Sequence, residues 1–252
     1  MKIHFVYSSN AKSVSAYRYM VKAYGQAELE DADCVVVLSG DGMVLRAFHE
    51  TYEKKLPIYG MNRGGFGFLT NNYSKDKLIE RIQAAVPLKI HPLRVIAERD
   101  NGEKSSTIAI NEVYLLRETH QTAKIKVTVD GVVRLKELVC DGLISATAVG
   151  STAYNYSANG PIIPLKSQLM ALTPISPFRP RCWRGALLPS GSILHFEVLD
   201  HLRRPVCAVA DYDEFRQASK VMVFEDKQVE LTLLLDEDNS LEKKFMQEQF
   251  AT

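Results

Sequence analysis

The segment Ser39-Gly40-Asp41-Gly42 sets one carboxylate between two glycines. It follows the apolar run Cys34 to Leu38, which has the pattern of a buried strand, and precedes a helix-like stretch beginning near Val44. Glycines at such a strand end let the backbone turn sharply and approach a ligand closely. The first amides of the following helix can face an anion such as a phosphate. Asp41 is then a candidate base or metal ligand. A plainer reading keeps the same residues as a strand-to-helix turn in which Asp41 caps the helix.

Two further constellations lie downstream. Asn111-Glu112 interrupts the strand-like segment Ile108 to Leu115, and buried polar groups require partners, so the pair could hold a ligand. Alternatively Asn111 bulges the strand and Glu112 faces water. The tract from Asp141 to Pro161 starts as an apolar strand and becomes a loop of Gly, Ser and Thr, followed by small residues interleaved with Tyr154 and Tyr156. Small side chains let the backbone come close, and the hydroxyls and rings could bond to and stack on a nucleotide. A turn-rich connection with buried tyrosines would have the same composition.

Other chemistries lack their residues. There is no G-x-x-x-x-G-K-[ST] loop, no G-x-S-x-G elbow and no zinc-type spacing of His or Cys, and His49-Glu50 lacks the second histidine of a zincin. Gly64-Gly65-Phe66-Gly67 misses the third glycine of a dinucleotide fingerprint. Trp183, between Arg181 and Arg184, reads as a partly buried ring flanked by solvated charges.

The elements that must position these residues fall into two halves. Ile3–Tyr7, Cys34–Leu38 and Pro57–Gly60 read as strands. They alternate with helices over Lys12–Tyr24 (Val14, Tyr17, Val21 and Tyr24 along one side), Val44–Tyr52 and Lys75–Ala85 (Leu78, Ile79, Ile82 and Ala85 inward). Such alternation predicts a mainly parallel sheet. From about Pro92 the grain changes. Lys124 to Val129 alternates with period two and ends in Asp130-Gly131, a hairpin signal repeated at Asn101-Gly102. Strands over Ser192–Val198 and Val221–Phe224 extend this antiparallel character to about Leu235. Ser240–Phe250 reads as a helix with Leu241, Phe245, Met246 and Phe250 on one apolar side, returning to the first half. The expected fold class is α/β plus all-β, with residues 1–90 and 236–252 forming the first domain and 91–235 a β-rich second one.

The 252 residues are 46% apolar, enough for a packed core, and 31 basic against 30 acidic residues give bulk charge no role in binding nucleic acid or a membrane. Cys34, Cys140, Cys182 and Cys207 lack close pair spacing, which fits reduced thiols and a cytoplasmic location. No segment has the length of a signal peptide core or a membrane span.

Taken in order, the Gly-Asp-Gly turn, Gly60 to Leu69, Asn111-Glu112, Asp141-Gly142, Gly150-Ser151-Thr152-Ala153-Tyr154 through Ser157, and Gly160-Pro161 resemble the NAD kinase family over nearly the whole chain. The resemblance implies an amino-terminal α/β domain like those of phosphofructokinase and lipid kinases, and a carboxy-terminal β-sandwich that binds NAD. It implies phosphoryl transfer from ATP or polyphosphate to the 2′-hydroxyl of the adenosine ribose of NAD, with a divalent metal, magnesium, and a homo-oligomer, dimer or tetramer. On this chain Asp41 would engage that hydroxyl, and Gly40 and Gly42 the phosphates. Asn111 and Glu112 would hold the ribose, while Thr152, Ala153, Tyr154, Asn155 and Ser157 would line the adenine and ribose site. Asp141 would approach the nicotinamide end, and Asp211 and Arg46 are further candidate positions. Departures from the family pattern are Ser39 for a glycine, Met43 for threonine and Val139 for a basic residue. A sugar or lipid kinase would have no need of the Asn-Glu and Gly-Ser-Thr-Ala-Tyr elements. A non-catalytic nucleotide sensor would have no need of Asp41.

Overall fold

The computed structural model describes residues 1–65, 67–181, 183–239 and 241–250. Phe66 of the glycine-rich segment, Cys182, the first residue of the expected terminal helix (Ser240) and the last two residues lie outside the described residues. The chain divides into two compact units, Met1–Ile90 with Gln228–Thr252, and His91–Lys227.

The first unit runs β1 (Ile3–Tyr7), α1 (Ala11–Tyr24), β2 (Cys34–Ser39), α2 (Asp41–Thr51), β3 (Ile58–Asn62), α3 (Leu78–Ala84) and β4 (Val86–Ile90). β2 is buried at all six positions, as a central parallel strand must be, and pairs in parallel with β1 and β3. Asn10 caps α1 by accepting from the Ser13 amide at 2.9 Å, and Gly25 at φ 78° ends it. The buried stripe of α1 is Ser13, Ala16 and Met20, with Tyr17, Val21 and Tyr24 packing beside it. The expected face was therefore displaced: Ser13 is fully buried because its hydroxyl accepts from Ser8, a partnership that hydrophobicity does not register.

The second unit runs β5 (Leu93–Arg99), β6 (Lys104–Ala109), β7 (Glu112–Arg117), β8 (Ala123–Val129), β9 (Val132–Cys140), β10 (Gly142–Ala146), α4 (Tyr154–Ser157), β11 (Leu169–Ile175), β12 (Ala186–Pro189), β13 (Leu194–Val198), β14 (Val206–Ala210), β15 (Asp213–Phe215) and β16 (Ala218–Glu225). These strands form two antiparallel sheets, in the orders β12-β11-β10-β7-β14-β15 and β6-β5-β16-β13-β8-β9. Apolar residues of both sheets share one core, so this unit is a β-sandwich. Trp183 packs partly buried against that core. Asp130 and Gly131 both take positive φ in the tight turn joining β8 to β9.

Ile108 to Leu115 is two strands, not one. β6 belongs to one sheet and β7 to the other, and Ile110-Asn111 is the passage between them. Asp141 marks a second passage, from β9 to β10. The polar residues fall where the chain leaves one ladder for another and its backbone groups need new partners.

The chain then re-enters the first unit with β17 (Leu231–Leu235), parallel to β3 and antiparallel to β4, followed by α5 (Leu241–Gln249). β17, grouped above with the β-rich half, thus completes the first sheet in the order β1-β2-β3-β17-β4. On α5 the buried residues are Leu241, Lys244 and Phe245, while Met246 and Phe250 are exposed. A lysine takes the place expected for an apolar side chain.

Candidate active site

In the first unit β2 delivers Asp41 to the first turn of α2 at the carboxyl end of the parallel strands, where ligands of open α/β sheets bind. Asp41 does not cap its own helix, since the residue before it, Gly40, occupies the cap position with extended backbone (φ −97°, ψ −174°). Its carboxylate instead accepts from the Phe68 amide (2.6 Å) and the Leu69 amide (2.9 Å), with the Thr70 hydroxyl at 3.5 Å. A carboxylate has about four lone-pair sites, so one on Oδ2 remains for a further donor. Burial pushes the Asp41 carboxyl above the usual carboxylate range, against the pull of the two amides, Lys244 and Thr70.

The glycines have separate reasons. A Cβ on Gly67 would sit 2.3 Å from the Thr70 hydroxyl and 3.0 Å from Asp41 Oδ1, so only glycine lets this loop close on the carboxylate. Gly40 and Gly42 have negative φ, and among the described residues no atom beyond their chain neighbours and the adjoining helix backbone lies within 4 Å of where their Cβ would be. Neither the fold nor the turn demands them, and what they provide is bare backbone at a helix N-terminus. Ser39 needs no left-handed backbone, and its hydroxyl donates to Ser8 at 2.9 Å. Arg46 is exposed and pairs with Glu50 at 2.9 Å.

In the second unit the passage at Ile110-Asn111-Glu112 is clamped by Asp211. This residue, in the left-handed region at φ 53°, accepts from the amides of Ile110 (2.7 Å), Asn111 (2.9 Å) and Glu112 (3.4 Å). Thr147 holds the other side, donating its hydroxyl to Ile110 O and its amide to Asn111 O. Gly150 packs so closely that a Cβ would lie 2.1 Å from Asn111 O.

Within this frame Glu112 is 6% exposed, and its Oε2 has no hydrogen-bond partner among the described residues. It does not face water. Burial, and then the charge of Asp211, push its carboxyl up to about 8. Tyr154, on α4, meets Tyr114 of β7 edge to face at 5.0 Å. Its phenol is pushed up by burial and then by the nearby Asp141 and Glu112 charges.

The remaining expected residues divide. Asn155 is fully buried and works inward, its amide donating to Ser151 O and Pro161 O and its carbonyl accepting from Thr173. It shapes the loop. Asp141 accepts from Arg117 at 2.6 Å. Thr152, Ala153 and Tyr154 are half-buried and Ser157 is exposed. Sequence reasoning missed Thr173 and Lys244, because their partners, Asn155 for the first and the carbonyls of Gly67, Phe68 and Thr70 for the second, are remote in the chain. Among the described residues no three or more His, Cys, Asp or Glu side chains form a metal cluster. These residues therefore do not build a cage for the implied cation.

Comparison with known proteins finds a family match within each of the two units. Residues 2–87 match the model of the ATP-NAD kinase N-terminal domain and residues 110–209 that of the ATP-NAD kinase C-terminal domain. An NAD kinase of Caulobacter vibrioides is 48% identical over 99% of this chain and 96% of its own. One of Brucella melitensis is 47% identical over 99% and 97%. The fold is also that of an Archaeoglobus fulgidus NAD kinase crystallised with ATP, at TM-score 0.80 and 22% identity with both chains fully covered. With both domain models matched in order and near-half identity over almost its full length, the chain belongs to the NAD kinase family.

Proposed function

We infer that this chain is an NAD kinase, transferring a phosphoryl group from ATP to the 2′-hydroxyl of the adenosine ribose of NAD to form NADP. The observation that carries the substrate reading is the Glu112 carboxyl, buried with one oxygen unpartnered on a strand end clamped by Asp211. A buried polar atom without a partner is costly, and a ribose hydroxyl, both donor and acceptor, suits it. Asn111 belongs to the same ribose contact. Thr152, Ala153, Tyr154 and Ser157 form the adenosine wall, with Asn155 supporting it from behind and Asp141 turned to the nicotinamide end.

Gly40 and Gly42 take the phosphates on bare backbone, and Arg46 adds charge nearby. Asp41 orients the hydroxyl. A secondary alcohol is far too weak an acid to be ionised beforehand by a carboxylate, even one raised by burial. In a loose phosphoryl-transfer transition state the proton is accepted late, and most of the rate comes from positioning. Magnesium, arriving with the donor's phosphates, would supply charge neutralisation. Polyphosphate is an alternative donor. The protein works in the cytoplasm as a homo-oligomer, dimer or tetramer, and no helix among the described residues is long and apolar enough to cross a membrane.

The test is incubation of purified protein with NAD, ATP and magnesium. NADP formation is expected. Binding of NAD without turnover would favour the sensor reading, and phosphorylation of a sugar or lipid in preference to NAD would favour a related kinase. Light scattering on a sizing column reads the assembly.

A further inference from the structure

Lys244 is the least expected residue of the first unit. It sits on α5, is 8% exposed, and burial pushes its ammonium below the usual lysine range. A buried ammonium persists only where its donors are satisfied. All three go to one loop: Gly67 O at 3.1 Å, Phe68 O at 2.9 Å and Thr70 O at 2.7 Å. The Gly67 carbonyl and the Phe68 amide are the two ends of one peptide plane, and the Phe68 carbonyl and the Leu69 amide are those of the next. The amide ends of these planes are the ones that donate to Asp41. Two peptide dipoles thus lie between an ammonium and a carboxylate, each carbonyl held by the cation and each N–H aimed at the anion. In a low-dielectric setting such chains polarise one another, so the amides are both fixed and strengthened as donors.

We propose that Lys244 is a positioning residue for Asp41, aiming the Phe68 and Leu69 amides that hold the catalytic carboxylate. This rests on Asp41 being the group that orients the acceptor hydroxyl. Docking of α5 itself has other anchors. Leu241 and Phe245 are buried, the Phe245 ring meets Phe68 edge to face at 5.6 Å, and Asn239 donates to Thr70 O at 3.0 Å. The loss of the ammonium is therefore separable from the loss of the helix. The charged groups acting on the pair are Lys244 on Asp41, and Asp41 with Asp236 on Lys244. Asp236 is itself held by Tyr59 at 2.6 Å and by Arg81.

The experiment uses the full-length chain with Lys244→Met, Lys244→Arg and Asn239→Ala, each checked by circular dichroism and melting. Lys244→Met keeps the stem and removes all three donors. Its kcat is expected to fall about tenfold or more, while KM for NAD stays within about twofold. Removing the cation makes the carboxylate harder to form, so the Asp41 ¹³C carboxyl titration, assigned by its absence in Asp41→Asn, moves to higher pH. The acidic limb of kcat moves with it. Lys244→Arg restores most of the turnover. Asn239→Ala loosens the same segment without touching either peptide plane and leaves the titration in place. Should Lys244→Met fail to fold, Lys244→Gln removes the charge while keeping two amide donors, and the same upward move of the Asp41 titration is expected with a smaller fall in kcat. An unmoved Asp41 titration with near-normal kcat overturns the inference, as does an equal fall in Asn239→Ala. If the titration moves but the wild type makes no NADP, the positioning stands and the kinase reading falls.

Discussion

Asp41 in the first unit and Glu112 in the second are both acids at strand ends, and burial raises both. They differ in what surrounds them. Asp41 has two amide donors, a hydroxyl and a cation acting on it, whereas Glu112 Oε2 has no partner among the described residues and faces the charge of Asp211. The same cost of burial is met by donors in one region and left open in the other. A carboxylate held this way stays in one orientation, which suits a group that must align a hydroxyl and receive its proton. A carboxyl left open gains most when a ligand supplies the missing bond, which suits a binding contact.

The largest effect that separates these roles is expected from Asp41→Asn. Turnover should fall about 10²- to 10⁴-fold, the usual loss for a removed acid or base, with NAD affinity largely kept. The variant should also melt lower. An asparagine has one acceptor oxygen, so its NH₂ must face either the Phe68 or the Leu69 amide, leaving a donor unpaired at a cost of about 1–3 kcal/mol. Wild-type turnover in a folded Asp41→Asn protein would remove this residue from the reaction.

Glu112→Gln should act on binding, raising KM for NAD about tenfold with a smaller change in kcat. It has a second signature. The folded chain holds the Glu112 proton up to about pH 8, whereas the ordinary value is 4.5. Between those values the folded state binds a proton that the unfolded state has released, so the stability tied to this group is full below about 4.5 and is lost as pH rises through about 8. Each unit of that rise corresponds to about 1.4 kcal/mol. Gln cannot ionise, so the fall in melting temperature from acid toward pH 8 should flatten in the variant. Parallel melting curves for the two proteins across that window would show that Glu112 is not strained as described.

Much of this arrangement is legible in the sequence. Apolar runs and helical periods place β1, α1, β2 and α2, since an unbroken apolar run marks the fully buried β2 and periodicity marks the helices, but they do not fix which stripe of α1 is buried. The hairpin at Asp130-Gly131 is a local demand for positive φ, readable from two residues. The illegible parts share one cause, polar residues whose partners are remote. Lys244 looks like a solvated cation until the carbonyls of residues 67 to 70 are beside it. Asn155 looks like a ligand contact until Thr173 and Pro161 engage its amide. Asn111-Glu112 was visible as an interruption of a strand. That the interruption is a change of sheet is a fact of tertiary pairing. The roles of the site residues came from the ordered resemblance, since no single motif specified them.

Asp211→Asn should have an intermediate effect. Asparagine tolerates the left-handed backbone at this position, so the turn survives. It offers one acceptor oxygen where the carboxylate uses Oδ1 for Asn111 and Glu112 and Oδ2 for Ile110. The clamp on the passage loosens, and NAD affinity is expected to fall several-fold. Loss of the neighbouring charge should at the same time move the Glu112 titration back toward the ordinary carboxyl range. Calorimetric NAD affinity equal to wild type would limit Asp211 to holding the fold.

The smallest and sharpest test is Gly42→Ala, because stability and function should move in opposite directions. Gly42 lies in the first turn of α2, its φ is not positive, and beyond its chain neighbours and its own helix backbone no described atom lies within 4 Å of the added Cβ. By fold alone the substitution is free of strain and exchanges a poor helix former for the best one, so melting should rise by the equivalent of about 0.5–1 kcal/mol. If bare backbone at this turn receives the donor's phosphates, the methyl group stands in their path, and KM for ATP should rise a few-fold while KM for NAD is little changed. A glycine kept for structure alone would show the reverse, a less stable protein with unaltered ATP kinetics. Higher stability with unchanged ATP kinetics would move the phosphate contact away from Gly42 and leave the turn with Asp41 as its functional residue.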